Sequence, residues 1–165
     1  MTLRLAKVAL VLAVAFNYSL VFLNNVTNYD TNYQFVKHVL MMDTTFPGNR
    51  GLWRALNSPL WHNAFYLSLI GWEAATMVCC AWGGVQMAKA FGRPAGEFHQ
   101  AKRTAILGLT LGLIMWLVAF LSVGGEWFLM WQSKTWNGQE AAFRMFTVIG
   151  IALLLVALPD AEEQP

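Results

Sequence analysis

The chain has 165 residues, of which 57% are hydrophobic and 12% are charged, and its mean hydropathy is +0.45. This composition excludes an ordinary soluble domain and is typical of a protein that lies in lipid. The net charge of +2 is small and scattered, so no nucleic-acid partner is expected.

Four apolar segments reach or approach the roughly 20 residues that a helix needs to cross a bilayer. They run over residues 5–24, 64–88, 104–124 and 141–158. No alternation typical of barrel strands occurs. The sequence therefore predicts an all-α membrane protein, one integral membrane domain over residues 1–165, built as a bundle of four transmembrane helices with a structured Trp-rich outer loop region.

The first segment has an alternative interpretation, because its positive start and the small residues AVA at 13–15 resemble a cleavable signal peptide. The apolar run continues past that site to Leu23, which favours a retained helix. We therefore expect residues 5–24 to form the first span.

Positive residues predict the orientation, because cytoplasmic connections carry an excess of Lys and Arg. Six of the 11 flank the first helix or join the second helix to the third: Arg4, Lys7, Lys89, Arg93, Lys102 and Arg103. Both termini are therefore expected in the cytoplasm. Lys89, Lys102 and Arg103 are expected to contact anionic lipid head groups, and the acidic tail over residues 160–165 is expected to fray.

The outer segments, residues 25–63 and 125–140, are too long and too aromatic for plain linkers. Apolar spacing predicts a short amphipathic helix over residues 34–42 and a second short helix over 52–56. Five tryptophans fall on this side: Trp53, Trp61, Trp127, Trp131 and Trp136. An interfacial aromatic belt is favoured over ligand stacking as their role.

One carboxylate, Glu73, lies within the apolar run IGWEAATMVCCAW of the second helix. A helical period places it on one stripe with Thr76, Cys80 and Gly84, so it is expected to face the other helices.

Counting residues from the membrane ends predicts a polar layer at the level of this carboxylate. The predicted layer contains Glu73, Asn17, Trp116 and Thr147, with Asn17 as the first candidate partner of Glu73. The carboxyl group either is protonated and fixes helix packing, which is favoured, or binds a proton or cation in a wet cavity.

Metal and redox chemistry have weak support in the sequence. Cys79 and Cys80 have no CxxC companion and are expected to be packing residues. His38 and His62 could share a metal or haem with Asp30 or Asp43, but neither histidine lies at a helix centre and no tight ligand spacing occurs. No metal site and no cofactor is therefore predicted.

A catalytic function would have to use the outer segments. The candidate residues there are His38, Asp43, Arg50, Arg54, His62, Glu126, Trp127 and Trp131. They include acids, bases and anion-binding groups, but a sequence does not show that they converge. A structural role is favoured, in which Arg54 pairs with Glu126 and Asp43 ends a helix, so no catalytic residue is assigned.

The third helix contains a G-x-x-x-G motif at Gly108 and Gly112, which allows close helix approach. The motif suits internal packing, a homodimer or contact with another subunit.

Three sequence blocks carry a family resemblance: NNVTNYDTNYQFVKHVLMMDTTFPGN, WRAL and GGEWFLMWQSKTWNGQEAAFR. They resemble the domain-of-unknown-function 2165 family of predicted small integral membrane proteins of bacteria, over about residues 24–150. The resemblance implies a four-helix protein of the bacterial inner membrane and implies no catalytic residue.

Together these features predict a non-catalytic accessory or scaffold subunit of a larger inner-membrane complex. Its expected partners are membrane lipid and either partner subunits or further copies of the chain. Two alternatives stay open: a small transporter or proton- or cation-binding protein that uses Glu73, and a quinone- or haem-binding redox module.

Overall fold

A computed structural model of the protein describes residues 1–160. This part of the chain is helical and contains no strand. Four helices are long and apolar enough to cross a membrane: Thr2–Thr27, Pro59–Lys89, Ala95–Trp127 and Gln139–Ala157. The predicted all-α bundle of four membrane helices is thereby confirmed.

Six α-helices make up most of the described chain. They are α1 (Thr2–Thr27), α2 (Tyr29–Met41), α3 (Pro59–Lys89), α4 (Ala95–Ala101), α5 (Arg103–Ile114) and α6 (Gln139–Ala157). α5 continues without a break into a π-helical segment, Met115–Trp127. Two short 3-10 turns occur at Leu52–Arg54 and Met130–Gln132.

The helix boundaries follow from local chemistry. α3 begins at Pro59, because the first turn of a helix has no use for the N–H group that proline lacks. α2 begins at Tyr29, five residues before the expected helix over 34–42, and ends where Met42 adopts a left-handed conformation with φ of 52°. The second expected helix, over 52–56, is only the 3-10 turn Leu52–Arg54.

Small residues let the membrane helices approach closely. A side chain at Gly108 would lie 2.7 Å from the backbone nitrogen of Cys80, so α5 packs directly on α3 at this point. A side chain at Gly112 would lie 2.8 Å from the Tyr18 hydroxyl of α1. The G-x-x-x-G motif therefore serves packing within the bundle.

α3 is longer than α1 and extends past it at one end. Gly84 packs against Leu12, and Glu73 meets Asn25 near the end of α1. The part of α3 before Glu73 extends further and packs against α2, where the rings of Tyr66 and Tyr29 lie 4.7 Å apart.

The two ends of the bundle differ in structure. One end is covered by residues 28–58 and 128–138, which form a layer that we call the cap, and a buried apolar cluster joins this layer to α3. The opposite end, which we call the terminal side, carries residues 1 and 160. A second buried cluster fills the bundle between α1, α3, α5 and α6.

Candidate functional site

The carboxylate of Glu73 lies inside the bundle, with 5% of its surface exposed. Thr76, Cys80 and Gly84 on the same stripe of α3 are also buried, as expected from the helical period. Glu73 Oε2 accepts a 2.7 Å hydrogen bond from the Asn25 side-chain amide. This bond satisfies a polar group that would otherwise be costly inside the membrane.

A tyrosine holds the asparagine in place. The hydroxyl of Tyr66 is directed at the backbone and side-chain carbonyl oxygens of Asn25, at 3.1 and 3.2 Å, and donates to this pair of acceptors. Glu73, Asn25 and Tyr66 therefore form a hydrogen-bonded cluster that joins α1 to α3.

The structure does not bring the four residues of the predicted layer into one group. Asn25, not Asn17, is the residue bonded to Glu73. Trp116 donates instead to the Tyr18 hydroxyl at 3.0 Å. Thr147 is exposed, and its hydroxyl bonds to the Phe143 carbonyl of its own helix.

The offset between α1 and α3 explains this correction. The prediction placed the ends of both helices at one membrane level, whereas α3 begins at Pro59 and extends past α1 toward the cap. Glu73 consequently lies opposite a residue two turns later in α1 than Asn17.

Asn17 lies instead on a lipid-facing groove between α1 and α6. The groove has a volume of about 390 Å³, and its other lining residues are apolar. The Asn17 side chain is half-buried and makes no hydrogen bond with any residue in the range 1–160. It lies about one turn from the middle of α1, so its amide is at the depth of the hydrocarbon.

In the cap, His38 and Asp43 form a pair. His38 Nδ1 lies 2.6 Å from Asp43 Oδ2, and both side chains are partly exposed. The imidazole ring stacks on Trp136 with 4.7 Å between ring centroids and an angle of 5° between the planes. Asp43 also follows the end of α2 directly, so the pair fixes the turn after that helix.

His62 is separated from this pair and lies within the apolar cluster under the cap. It is 2% exposed, and its Nε2 donates to the Leu56 carbonyl at 2.7 Å. This bond anchors the segment that precedes α3. His38 and His62 therefore have different partners, and residues 1–160 contain no group of three His, Cys, Asp or Glu side chains suited to a metal ion.

Arg54 lies between two indole rings at the edge of the cap. Its guanidinium carbon is 5.8 Å from the centre of Trp53 and 5.3 Å from the centre of Trp127, and the two rings meet edge to face. Within residues 1–160 it has no acidic partner within 4 Å, so the expected pair with Glu126 does not form. Its Nε donates to the Gly51 carbonyl at 3.3 Å.

The remaining cap candidates have separate surroundings. Arg50 and Glu126 are exposed. Trp131 packs edge to face with Phe46, with 5.7 Å between centroids. The candidates of the outer segments thus belong to several local contacts, and the structure does not bring them together into one constellation.

The terminal side contains a buried ion cluster that the sequence did not suggest. The ammonium group of Lys7 lies 2.7 Å from Asp160 Oδ1, and that of Lys102 lies 2.6 Å from Asp160 Oδ2. All three side chains are at most 2% exposed. Both lysines also donate to the Leu158 carbonyl, so the cluster joins α1, α5 and the end of α6.

Two expectations about this side are therefore wrong. Lys102 is buried and paired instead of contacting head groups, and Asp160 is held by two bonds instead of fraying. Residues 161–165 of the tail lie outside the described residues. Burial raises the pKa of Asp160, but the hydrogen bonds from Lys102 and Lys7 outweigh it and lower the pKa below its usual value.

Arg4 is a further buried cation on the terminal side. It donates to the carbonyl oxygens of Phe91 and Arg93 at 3.1 and 2.6 Å, and its guanidinium lies 5.0 Å from the centre of the Phe98 ring. These contacts satisfy carbonyl groups that follow the end of α3.

The four membrane helices, the internal polar contact and the aromatic cap define a small integral membrane protein. The family model described as "Predicted small integral membrane protein (DUF2165)" matches residues 3–159. The chain belongs to this family, as the resemblance of its sequence blocks indicated. No curated protein and no solved structure matches the chain.

Proposed function

We propose that this protein is a non-catalytic accessory subunit of a larger complex in the bacterial inner membrane. In this proposal a transmembrane helix of a partner protein occupies the groove between α1 and α6. The observation that carries the proposal is Asn17, whose amide faces lipid at mid-depth without a hydrogen-bond partner in residues 1–160. A partner helix would supply the missing hydrogen-bond partner, which hydrocarbon tails cannot provide.

The shape of the groove supports a helix as its occupant. Small side chains, Ala13 and Ala152, lie on its two walls, and small residues let helix backbones approach closely in membranes. Val148 and Ile151 on the same groove are 55% and 54% exposed. A partner helix would cover them while it bonds to Asn17.

The ionisable groups support a role without catalysis. Glu73 is bonded to Asn25, Asp43 to His38, and Asp160 to two lysines. The bonds of Glu73 and Asp160 join separate helices, and that of Asp43 fixes the turn after α2, so these acids already have structural partners.

Photo-crosslinking in native membranes tests the proposal. A benzophenone amino acid at Val148 or Ile151 should yield one adduct with a single membrane protein, recovered in equal amount with the chain in mild detergent. The same probe at Val78, which is 57% exposed on α3, should yield none. Asn17→Leu should abolish the adduct without lowering the unfolding temperature of the isolated protein, because Asn17 has no bond within residues 1–160.

Three results would contradict the proposal. An adduct with a second copy of this chain would indicate a homodimer. An adduct unaffected by Asn17→Leu would show that the Asn17 amide does not contribute to binding of the partner. The absence of any adduct at both groove positions would indicate that lipid, and not a partner helix, occupies the groove.

We also propose that both termini are cytoplasmic and that the cap lies on the outer face. The excess of positive residues on the terminal side supports this orientation. In a variant without Cys79 and Cys80, an impermeant maleimide added to intact cells should label Asn137→Cys in the cap and not Gly92→Cys. The reverse labelling would overturn the orientation.

A further inference from the structure

An apolar cavity of about 220 Å³ lies beneath the cap, between α2, α3 and the π-helical segment. An engineered apolar cavity of about 150 Å³ is large enough to bind benzene. This cavity is therefore large enough for a hydrocarbon group. Its lining includes Phe35, Leu40, Leu69, Trp72, Phe120 and Phe128.

The π-helical segment forms one wall of the cavity. Val118, Ala119, Val123 and Gly124 of that segment line it. A π-helix has a wider turn than an α-helix, and such turns are frequent at functional sites. Ala119 contributes only a methyl group to this wall, and Gly124 contributes only backbone.

The cavity opens sideways, toward lipid. Ser68 of α3 and Val118 of the facing segment line it, and both are exposed. Val118 is 42% exposed. A hydrocarbon chain can therefore enter from the bilayer without crossing the cap.

Arg54 does not line the cavity, but two of its neighbours contact or adjoin residues that do. Leu56, two residues later, donates its backbone N–H to the carbonyl of Leu40, a lining residue, at 2.8 Å. Trp127, whose ring contacts the guanidinium, directly precedes the lining residue Phe128. Two segments of the chain, residues 54–56 and 127–128, therefore connect the guanidinium of Arg54 to the wall of the cavity.

We propose that this cavity is a binding site for a phospholipid, with one acyl chain in the apolar space and the phosphate at Arg54. The guanidinium lacks an acidic partner in the described chain, and Trp53, Trp127 and the Gly51 carbonyl hold it in position. Arg binds phosphate through two parallel charge-assisted hydrogen bonds, and Trp favours the head-group level of a bilayer. The site uses none of the residues of the groove between α1 and α6.

Native mass spectrometry of the delipidated protein in dodecyl maltoside tests this site, with dioleoyl phosphatidylglycerol as the probe. The wild-type chain should bind one lipid more tightly than any further lipid. Arg54→Gln should weaken that first binding about tenfold, because it removes a charge-assisted contact. Arg50→Gln is the matched control: it removes the same charge from an exposed position in the same cap and should leave the first binding unchanged.

Chain length tests the cavity itself. Wild-type protein should prefer the dioleoyl over the dihexanoyl lipid, and Ala119→Phe should remove this preference by filling the cavity. Ser68→Trp, at the exposed mouth, should do the same without a change inside the bundle. Unchanged circular dichroism verifies the fold of each variant.

Excess inorganic phosphate distinguishes a lipid site from a site for free anions. Phosphate should not displace the dioleoyl lipid, since it has no group for the cavity. Displacement by phosphate, equal effects of Arg54→Gln and Arg50→Gln, or an unchanged chain-length preference in both cavity variants would each overturn the proposal.

Discussion

Asp160→Asn should lower the free energy of unfolding by about 3 kcal/mol, because it leaves two buried ammonium groups without their shared carboxylate. Removal of one partner from a buried ion pair costs about 3–5 kcal/mol. The lower end applies here, because Lys7 and Lys102 keep the Leu158 carbonyl as an acceptor, at 2.7 and 2.9 Å.

Lys7→Met gives an independent test of the same reasoning. It removes one of two cations and leaves Lys102 paired with Asp160 at 2.6 Å, so no buried charge loses its only partner. Its cost should therefore be smaller than that of Asp160→Asn. Substitution of a fully buried lysine by an apolar side chain of similar length also removes the cost of burying its charge.

Reversible unfolding in mixed micelles of dodecyl maltoside and sodium dodecyl sulfate, followed by circular dichroism, measures these changes. Glu97→Gln is the matched control, since Glu97 is an exposed acid on the same side, and its change should stay within about 0.5 kcal/mol. If Asp160→Asn costs no more than this control, or Lys7→Met costs more than Asp160→Asn, the cluster does not act as a buried ion pair.

Three further predictions use the same assay. Because the pKa of Asp160 is lowered in the folded protein, its ion pair contributes fully to stability above pH 3.8, the usual pKa of the group, and loses this contribution as the pH falls through the lowered pKa. The free energy of unfolding should therefore fall on acidification below pH 3.8, and an identical fall in Asp160→Asn would refute this. Glu73→Gln should cost less than about 1 kcal/mol, because the amide oxygen can still accept from Asn25. Glu73→Leu leaves that donor unpaired and should cost about 1–3 kcal/mol, and equal costs of the two variants would show that the bond to Asn25 does not stabilise the fold. Gly108→Ala should cost about 1–3 kcal/mol by overpacking against α3, while Gly71→Ala, with nothing within 4 Å of its added carbon, should be neutral or stabilising; similar effects at both glycines would contradict the packing argument.

The sequence predicted the four spans because each depends on a property of its own segment. A run of about 20 apolar residues requires a helix in lipid whatever its neighbours are. The burial of Glu73 was predicted for the same reason, since small residues on its stripe mark the packed face of α3.

The partner of Glu73 depends on how far two helices are shifted along each other, and no local pattern reports that shift. The start of α3 at Pro59 was not predicted, and its extension toward the cap moves Glu73 from the level of Asn17 to that of Asn25. The Pro residue after Ser58 was the available signal, because proline favours the first turn of a helix.

The cluster on the terminal side was missed for a different reason. Asp160 lies beyond the last helix, where sequence gives little information about backbone direction, and charged residues near helix ends are usually solvated. The signal was present in Asp160, the first acid after α6, and in two lysines at the same membrane level. Likewise, the contact of Arg54 with Trp127 joins two distant segments, which only the folded cap brings together.

The bond between Lys7 and Asp160 also has a consequence for membrane insertion, because its two partners are synthesised at very different times. These residues are 153 positions apart, so at about 5–20 residues per second the carboxylate is synthesised roughly 8–30 seconds after the lysine. During that interval α1 can enter the bilayer while its ammonium group faces water or head groups. The buried contacts of Lys7 with Leu158 and Asp160 can form only after α6 has been synthesised, so this ion pair is among the last contacts of the fold to form.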